Sequence, residues 1–283
     1  MKNKKSTTVI MAFILLIGLS LLLYPTVADK WNAFHQSRAI IHHAENMAKF
    51  SAEECEVYRS AAVDFNDALR NNGGRWTLTS DEKKTYESLL VTDDTNIIAY
   101  VEIPKIKVSL PIYHGTGNDV LKGAIGHLEG SSLPVGGKGT HCVLSGHRGL
   151  PSAKLFTDLD KLVEGDTFML YTLDETLTYE VDQIRVVLPS DLSTLQIDPE
   201  QDYCTLFTCT PYGINTHRLM VRGHRIDNLS AGTIMVTAEA LQIDEITVSL
   251  VIGVPLLIAI FIFALVKPRK QRISMRQRLK QEV

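Results

Sequence analysis

The segment that most constrains the fold is 203–226, which predicts two β-strands joined by a tight turn. Residues 203–208 are rich in aromatic and β-branched side chains, as strands prefer. Residues 217–226 alternate between apolar and polar side chains, which is the period of a half-buried strand. The turn formers between them are Pro211, Gly213 and Asn215. The pattern therefore predicts an antiparallel hairpin.

A thiol and a guanidinium lie at the facing ends of this hairpin. Cys209 ends the first strand and Arg218 begins the second, so an antiparallel return across the turn brings them together. A fixed cation favours the ionised form of a nearby thiol. The alternative interpretation is a buried strand cysteine and an ordinary surface charge, because free cysteine is among the residues most often buried.

A histidine upstream favours the chemical interpretation. Residues 143–149 (V-L-S-G-H-R-G) read as a hydrophobic strand that ends in His147, flanked by glycines. Glycine allows close backbone approach, so a strand-end imidazole is expected here. A nucleophilic thiol, a proton-carrying imidazole and a positive group for an oxyanion are the parts that acyl transfer through a thioester requires.

These residues resemble the sortase family, the cysteine transpeptidases of Gram-positive cell surfaces. Residues 205–209 (T-L-F-T-C) are similar to the family signature T-L-x-T-C, and the positions of His147 and Arg218 relative to the cysteine fit the family. The phrases at 144–148 and 208–218 resemble class C, the branch that polymerises pilins. A pilin-polymerising enzyme is therefore the function that the resemblance implies.

The resemblance covers residues 95–226 and implies a role for each of three side chains. Cys209 would attack a backbone carbonyl as a thiolate, His147 would donate a proton to the leaving amine, and Arg218 would stabilise the oxyanion or hold the incoming peptide. The acyl donor would be an L-P-x-T-G-like sorting signal cut between Thr and Gly. The acceptor would be a lysine amine on the next pilin subunit, so pilin subunits are the implied partners and no cofactor is expected.

Three other functions stay open on the sequence. A housekeeping sortase would pass the acyl group to a cell-wall precursor, and a membrane-tethered cysteine protease would pass it to water. A surface receptor with two anchors would do no chemistry, although a thiol, an imidazole and a guanidinium at workable positions argue against it. A second C-terminal apolar segment and the phrase T-C-T-P-Y-G favour the pilin enzyme.

A lid is the next expectation that the resemblance supplies. Class C sortases often carry an Asp-Pro-Phe or Asp-Pro-Trp tripeptide whose Asp faces the catalytic Arg and whose ring covers the thiol. The nearest counterpart is Gly74-Arg75-Trp76, which has the aromatic ring but no carboxylate. We expect a loosely held cover with Trp76 as its only anchor; the alternative is that Trp76 is a packing residue that anchors a loop.

The body of the chain predicts a mainly β fold. Eight strands are expected near 97–103, 108–113, 125–128, 140–145, 167–172, 177–188, 203–208 and 218–226. Short, regular strands without alternating long helices are typical of a closed barrel or a sandwich. The resemblance selects a closed eight-stranded sortase β-barrel with N-terminal helices, flanked by two transmembrane helices.

The residues before the barrel predict helices. Apolar side chains recur near a 3.6-residue period over 29–70, which is typical of a helix. Within it, His35, His42 and His43 are expected on the polar face rather than as metal ligands. The sequence from Thr79 to Glu82 resembles a capping box and predicts a short helix that runs to Leu90.

Two apolar runs, 9–23 and 246–266, predict membrane association, since about 20 apolar residues span a bilayer as a helix. Basic residues flank each run on the side of the chain terminus, so both termini are expected in the cytoplasm and residues 29–245 outside. The first run also fits a cleavable signal peptide, but an uncleaved anchor is favoured. The external part is acidic although the whole chain carries a net charge of only −3, which excludes a nucleic-acid binder.

These features predict six consecutive regions. They are an N-terminal anchor or signal-anchor (1–28), a helical region with the lid-like loop (29–95), the catalytic β-barrel (96–228), a linker (229–245), a transmembrane helix (246–266) and a basic cytoplasmic tail (267–283).

The remaining histidines and cysteines predict structural roles. His114, His127 and His141 have no metal-ligand spacing with the cysteines, so no metal site is expected. Cys142 and Cys204 each lie five positions before a proposed catalytic residue. Because five is odd, each is expected on the face opposite its catalytic neighbour, as one of two buried free thiols, with a Cys142–Cys204 disulfide as the alternative.

Overall fold

All eight predicted strands are present in the computed structural model, each within two residues of its expected bounds. The structure describes residues 2–228, with side chains from residue 13 onwards. The predicted linker, second span and basic tail lie outside the described residues. The strands are β1 (Ala99–Ile103), β2 (Val108–His114), β3 (Ile125–His127), β4 (Thr140–Ser145), β5 (Thr167–Thr172), β6 (Glu175–Val187), β7 (Asp202–Thr210) and β8 (His217–Ile226).

The strands close into a barrel in the order β1-β2-β3-β4-β7-β8-β6-β5. The pairs β2/β3 and β4/β7 are parallel, and the other described pairs are antiparallel. Closure removes the exposed strand edges that an open sheet would leave. Inward-facing aromatic and aliphatic side chains fill the interior, and among the largest fully buried ones are Phe156, Phe168, Tyr179 and Leu144. The closed barrel confirms the predicted fold class for the described residues.

Within residues 2–228, four α-helices accompany the barrel: α1 (Lys2–Met47), α2 (Ala52–Arg70), α3 (Ser80–Ser88) and α4 (Asn118–Leu121). The helix expected over 29–70 is divided, because Ser51 caps a new helix and forms a capping box with Glu54. The predicted capping box of Thr79 and Glu82 is confirmed at the start of α3. The cap at Ser51 was not predicted.

Helix α1 presents the opposite face to the one that its periodicity suggests. Trp31, Phe34 and Ile41 are 65%, 56% and 51% exposed. The face that packs on the barrel domain combines the buried apolar side chains of Ile40 and Met47 with polar contacts. Asn32 donates to the Ser152 carbonyl oxygen, Gln36 donates to the Gly123 carbonyl oxygen, and Asn46 and His43 meet the Asp93 carboxylate. His43 is buried, so its placement on an exposed polar face was wrong.

The same helix contains a candidate membrane span. Over Phe13–Met47 it is long and apolar enough to cross a bilayer, and it is the one such helix among residues 2–228. An N-terminal signal sequence meets the same criteria, so length and composition do not choose between an anchor and a cleaved segment.

Candidate active site

Strand register brings His147 and Cys209 to the same end of the barrel. Strand β4 runs parallel to β7 with Ser145 opposite Phe207. Beyond β4 the Gly146 N–H donates to the Phe207 carbonyl oxygen (3.1 Å). The Thr208 hydroxyl donates to the Gly146 carbonyl oxygen (2.7 Å), across a separation of 62 residues. His147 and Cys209 are the next residues and keep this offset, so their spacing in the sequence equals the register of two adjacent strands.

Arg218 lies opposite Cys209 in the antiparallel pair β7/β8. Directly opposed residues in such a pair have their Cβ atoms about 5 Å apart on one face of the sheet. Both side chains are half-buried. The Arg218 Nη1 donates to the carbonyl oxygens of Asn215 (3.3 Å) and His217 (3.1 Å). Its Nε and Nη2 make no hydrogen bond within the described part of the chain, which leaves donors for a developing oxyanion.

The signature on β7 alternates between the two faces of the sheet. The inward side chains are Cys204, Leu206 and Thr208, all of them buried. The outward side chains are Thr205, Phe207 and Cys209. Because Cys209 is the last outward residue before the turn, its sulfur lies at the rim of the barrel. The inward threonine before it joins the two strand ends through the bond to Gly146.

Only glycine fits at two positions of the backbone around His147. A Cβ on Gly146 would come within 2.6 Å of the Phe156 ring, and Gly149 has φ of +75° with the Tyr212 ring 2.9 Å from its would-be Cβ. Side chains at either position would displace the loop, which explains the glycines on both sides of the imidazole. Tyr212 belongs to the turn after Cys209, so this contact joins the two loops of the site.

The His147 imidazole is half-buried, and burial lowers its pKa below the ordinary value. Its ring makes no hydrogen bond to any residue in the described range 2–228. No carboxylate among the described residues forms a hydrogen bond with the ring. The neutral form is favoured at neutral pH, so one ring nitrogen carries a proton and the other can accept one.

Trp76 lies on the outer face that carries Cys209 and Arg218. It packs against the buried cluster of Val143, Leu195 and Met220, against which Phe207 also packs. Phe207 precedes Cys209 by two positions and Met220 follows Arg218 by two, so the indole lies over the outer face of β7 and β8 and outside the barrel interior. The tryptophan thus occupies the catalytic face, while its role as a lid remains a prediction.

Arg75 is an anchor that the sequence analysis missed. Its side chain is buried, and its guanidinium donates to the carbonyl oxygens of Leu195 (2.7 Å) and Gly130 (3.4 Å). It also stacks on the Trp76 ring at 4.3 Å, and burial lowers its pKa. The expectation that Trp76 alone anchors this segment was therefore wrong. Local sequence carries no signal for this burial, because both acceptors come from distant loops.

His141 forms a hydrogen bond with the loop between β6 and β7. Its Nδ1 contacts the Gln196 carbonyl oxygen (2.9 Å) and its Nε2 contacts the Thr205 hydroxyl (2.8 Å). Because a carbonyl only accepts, Nδ1 carries the proton and Nε2 accepts from the hydroxyl. Burial lowers the pKa of His141 to about 4. Together with Arg75, this histidine binds two consecutive carbonyls of the loop, Leu195 and Gln196.

The other strand cysteines lie inside the barrel. Cys142 on β4 is the register partner of Cys204 on β7, and the two are 3% and 0% exposed. Both are free thiols, which confirms the prediction from their odd spacing. Burial raises the pKa of Cys204 well above the ordinary thiol value, so it keeps its proton.

Comparison with known proteins agrees with this geometry. The chain matches the sortase domain family over residues 101–226. It is 33% identical to sortase D of Bacillus subtilis over 129 residues, a region that covers 44% of this chain and 62% of the relative.

Solved structures extend the similarity. The structure of sortase C1 from Streptococcus agalactiae has 51% identity and a TM-score of 0.66, with 68% of this chain and 100% of that chain covered. Sortase C of Streptococcus pneumoniae has 43% identity and a TM-score of 0.61, with 68% and 97% covered. A solved relative matched over its full length at this identity places the chain within the family, and several of its structural neighbours are sortase C enzymes. The chain therefore belongs to the sortase family of cysteine transpeptidases.

Proposed function

We propose that this chain is a membrane-anchored class C sortase that joins pilin subunits through a Cys209 thioester. The observation that carries the proposal is the register of β4, β7 and β8, which delivers an imidazole, a thiol and a guanidinium to one rim of the barrel. The rim position leaves the sulfur partly accessible, whereas the other cysteines among the described residues are buried. Similarity to sortase C enzymes supports the choice of class.

The first half-reaction is acylation. The neutral His147 imidazole takes the proton of the Cys209 thiol, and the resulting thiolate attacks the threonine carbonyl of the sorting signal, so that a C–S bond forms as the carbonyl becomes tetrahedral. Arg218 donates to the oxyanion through N–H groups that are free in the described structure. The C–N bond to glycine then breaks, and the His147 imidazolium gives its proton to the departing amine. A thioester and a neutral imidazole remain.

The second half-reaction reverses these roles. The lysine amine of the next pilin attacks the thioester carbonyl, and His147 takes the proton that the nitrogen loses. The C–S bond breaks, so the Cys209 thiolate is restored and an isopeptide bond is formed. The chain ends with the same protons that it began with. Water as the acceptor would give hydrolysis in place of joining.

The test offers a sorting-signal peptide to the full chain with and without a lysine-bearing pilin. The expected product is the joined peptide and pilin, identified by mass, and Cys209→Ala is the matched inactive control. Transfer only to a cell-wall precursor would support the housekeeping alternative and contradict the pilin acceptor. Cleavage with water alone under all conditions would replace the transpeptidase with a protease.

The charge pattern supports a hairpin topology with the catalytic barrel outside the cell. Basic residues lie beyond both apolar runs, at the N-terminus and in 267–283. A tag placed after Val283 is therefore expected to resist protease added to intact cells. Digestion of that tag while the membrane is intact would contradict the hairpin.

A further inference from the structure

The loop that carries His147 is closed at its base. The Phe156 N–H donates to the His147 carbonyl oxygen (3.1 Å), so residues 147–156 form a compact excursion from the barrel rim. A bridge between Leu150 and Ala153 shapes its tip. Because the imidazole has no hydrogen-bond partner in the described chain, its position depends on how firmly this loop is held.

Helix α1 contacts the tip of this loop through two side chains. Asn32 Nδ2 donates to the Ser152 carbonyl oxygen (2.6 Å), and Asp29 Oδ1 accepts from the Lys154 N–H (2.7 Å). Asp29 and Asn32 are three positions apart and therefore lie on the same side of the helix. Both contacts are to backbone groups, so they depend on the course of the loop and not on the identity of its side chains.

We infer that Asp29 and Asn32 are positioning residues that brace the His147 loop against α1. The inference rests on the proposed function, because it gives the brace a catalytic purpose. Helix α1 also contains the candidate membrane span, so one continuous helix joins the anchor to the loop of the proton carrier. Displacement of a catalytic group by about 1 Å can cost up to about 100-fold in rate, so this brace matters more for turnover than for substrate binding.

The test uses the full chain in detergent, with the double variant Asp29→Ala and Asn32→Ala. We expect kcat for the sorting peptide to fall about tenfold while KM stays within about twofold, because the loop moves but Cys209 and the β7/β8 face do not. Amide hydrogen exchange is expected to rise in residues 148–156. Both readouts are needed, since the exchange measurement does not depend on activity.

Two isosteric variants separate a hydrogen-bond brace from a charge effect. Asp29→Asn keeps an oxygen acceptor for the Lys154 N–H and is expected to retain kcat and exchange close to the unmodified chain. Asn32→Asp removes the donor and places a carboxylate against the Ser152 carbonyl oxygen, so it is expected to lower kcat at least as far as Asn32→Ala. Asn46→Ala is the matched control. Asn46 lies on the same helix as Asp29 and Asn32, but its contact is with Asp93, remote from the His147 loop.

Each outcome decides the inference. Unchanged exchange in residues 148–156 of the double variant would overturn it, as would an Asn46→Ala variant that loses kcat equally. Equal losses for Asp29→Asn and Asp29→Ala would show a charge effect and also overturn the brace. If the unmodified chain does not process the sorting peptide, the proposed function fails, and the exchange measurement alone decides whether α1 holds the loop.

Discussion

The barrel places a cysteine and a histidine side by side in two regions, the interior and the rim. Inside, Cys142 lies next to Cys204 and His127. At the rim, Cys209 lies next to the last residue of β7, and His147 lies two residues beyond the end of the adjacent strand β4. The two regions contain the same residue types, yet they differ in solvent access and in the bonds made by each imidazole.

Both ring nitrogens of the interior histidine, His127, form hydrogen bonds. The His127 Nε2 contacts the Ser132 carbonyl oxygen (2.8 Å) and therefore donates, and its Nδ1 accepts from the Tyr86 hydroxyl (2.9 Å). The rim histidine, His147, has no ring hydrogen bond among the described residues. The comparison teaches that a Cys–His pair can support nucleophilic chemistry when the thiol is reachable and the imidazole can accept and release a proton.

The largest expected effect is on acyl-enzyme formation, and it distinguishes the rim thiol from the interior thiols. Cys209→Ala is expected to abolish the acyl-enzyme, because it removes the partly accessible sulfur, while thermal unfolding stays cooperative. Cys204→Ala is expected to keep turnover and to lower the free energy of unfolding by about 1–3 kcal/mol, since it leaves a small interior cavity. Intact-mass measurement after incubation with the sorting peptide checks both, and an adduct on Cys142 or Cys204 would reverse the assignment.

The next effect concerns Arg218, the cation opposite Cys209 at the rim. Arg218→Gln is expected to lower kcat by about 100- to 1000-fold, because oxyanion stabilisation is lost while substrate still binds. Arg222→Gln is the matched control, since Arg222 lies on the same face of β8 but pairs with Asp182. Steady-state kinetics with a sorting peptide measures both variants. Equal losses in the two variants would remove the special role of Arg218.

Acid is expected to lower the stability of the fold through the buried imidazole of His141. Burial lowers the pKa of His141 to about 4, so the unfolded chain binds more protons between that value and its ordinary pKa. Stability therefore rises with pH in this window and falls on acidification. From pH 7 to pH 5 we expect His141 to remove about 2 kcal/mol from the free energy of unfolding, roughly a 30-fold change in the unfolding equilibrium.

Chemical unfolding of the parent chain and of His141→Gln at both pH values measures this contribution. The glutamine cannot take up a proton, so the loss on acidification is expected to be smaller in the variant. An identical pH dependence in the two proteins would exclude His141 as the source.

The smallest effect tests the cover beside the rim. Arg75→Met removes both donors to Leu195 and Gly130, so the segment loosens and alkylation of Cys209 is expected to rise by roughly threefold. Trp76→Ala should raise it less, because Arg75 still anchors the backbone. Alkylation followed by peptide mapping measures this, with buried Cys142 and Cys204 as unreactive internal standards. A far larger effect of Trp76→Ala would show that the indole alone seals the thiol.

The sequence by itself predicted the strands and the residues that are proposed for catalysis. Strand alternation is a local consequence of backbone geometry, so β4 and β5 were predicted with their observed bounds. The parity argument for Cys142 and Cys204 held for the same reason. The spacing of His147 and Cys209 also carried the strand register, because both residues lie two positions beyond the last paired positions of the parallel strands β4 and β7.

Only the tertiary structure decided which surfaces meet. The burial of Arg75 and the contacts of Asp29 and Asn32 depend on backbone groups far away in the sequence. Periodicity shows that a helix has two faces, but the choice between them depends on the partners that the fold supplies. From the sequence, an arginine beside a tryptophan is expected to be exposed. Arg75 is buried because two distant carbonyl oxygens accept hydrogen bonds from its guanidinium, and these bonds offset the loss of hydration on burial.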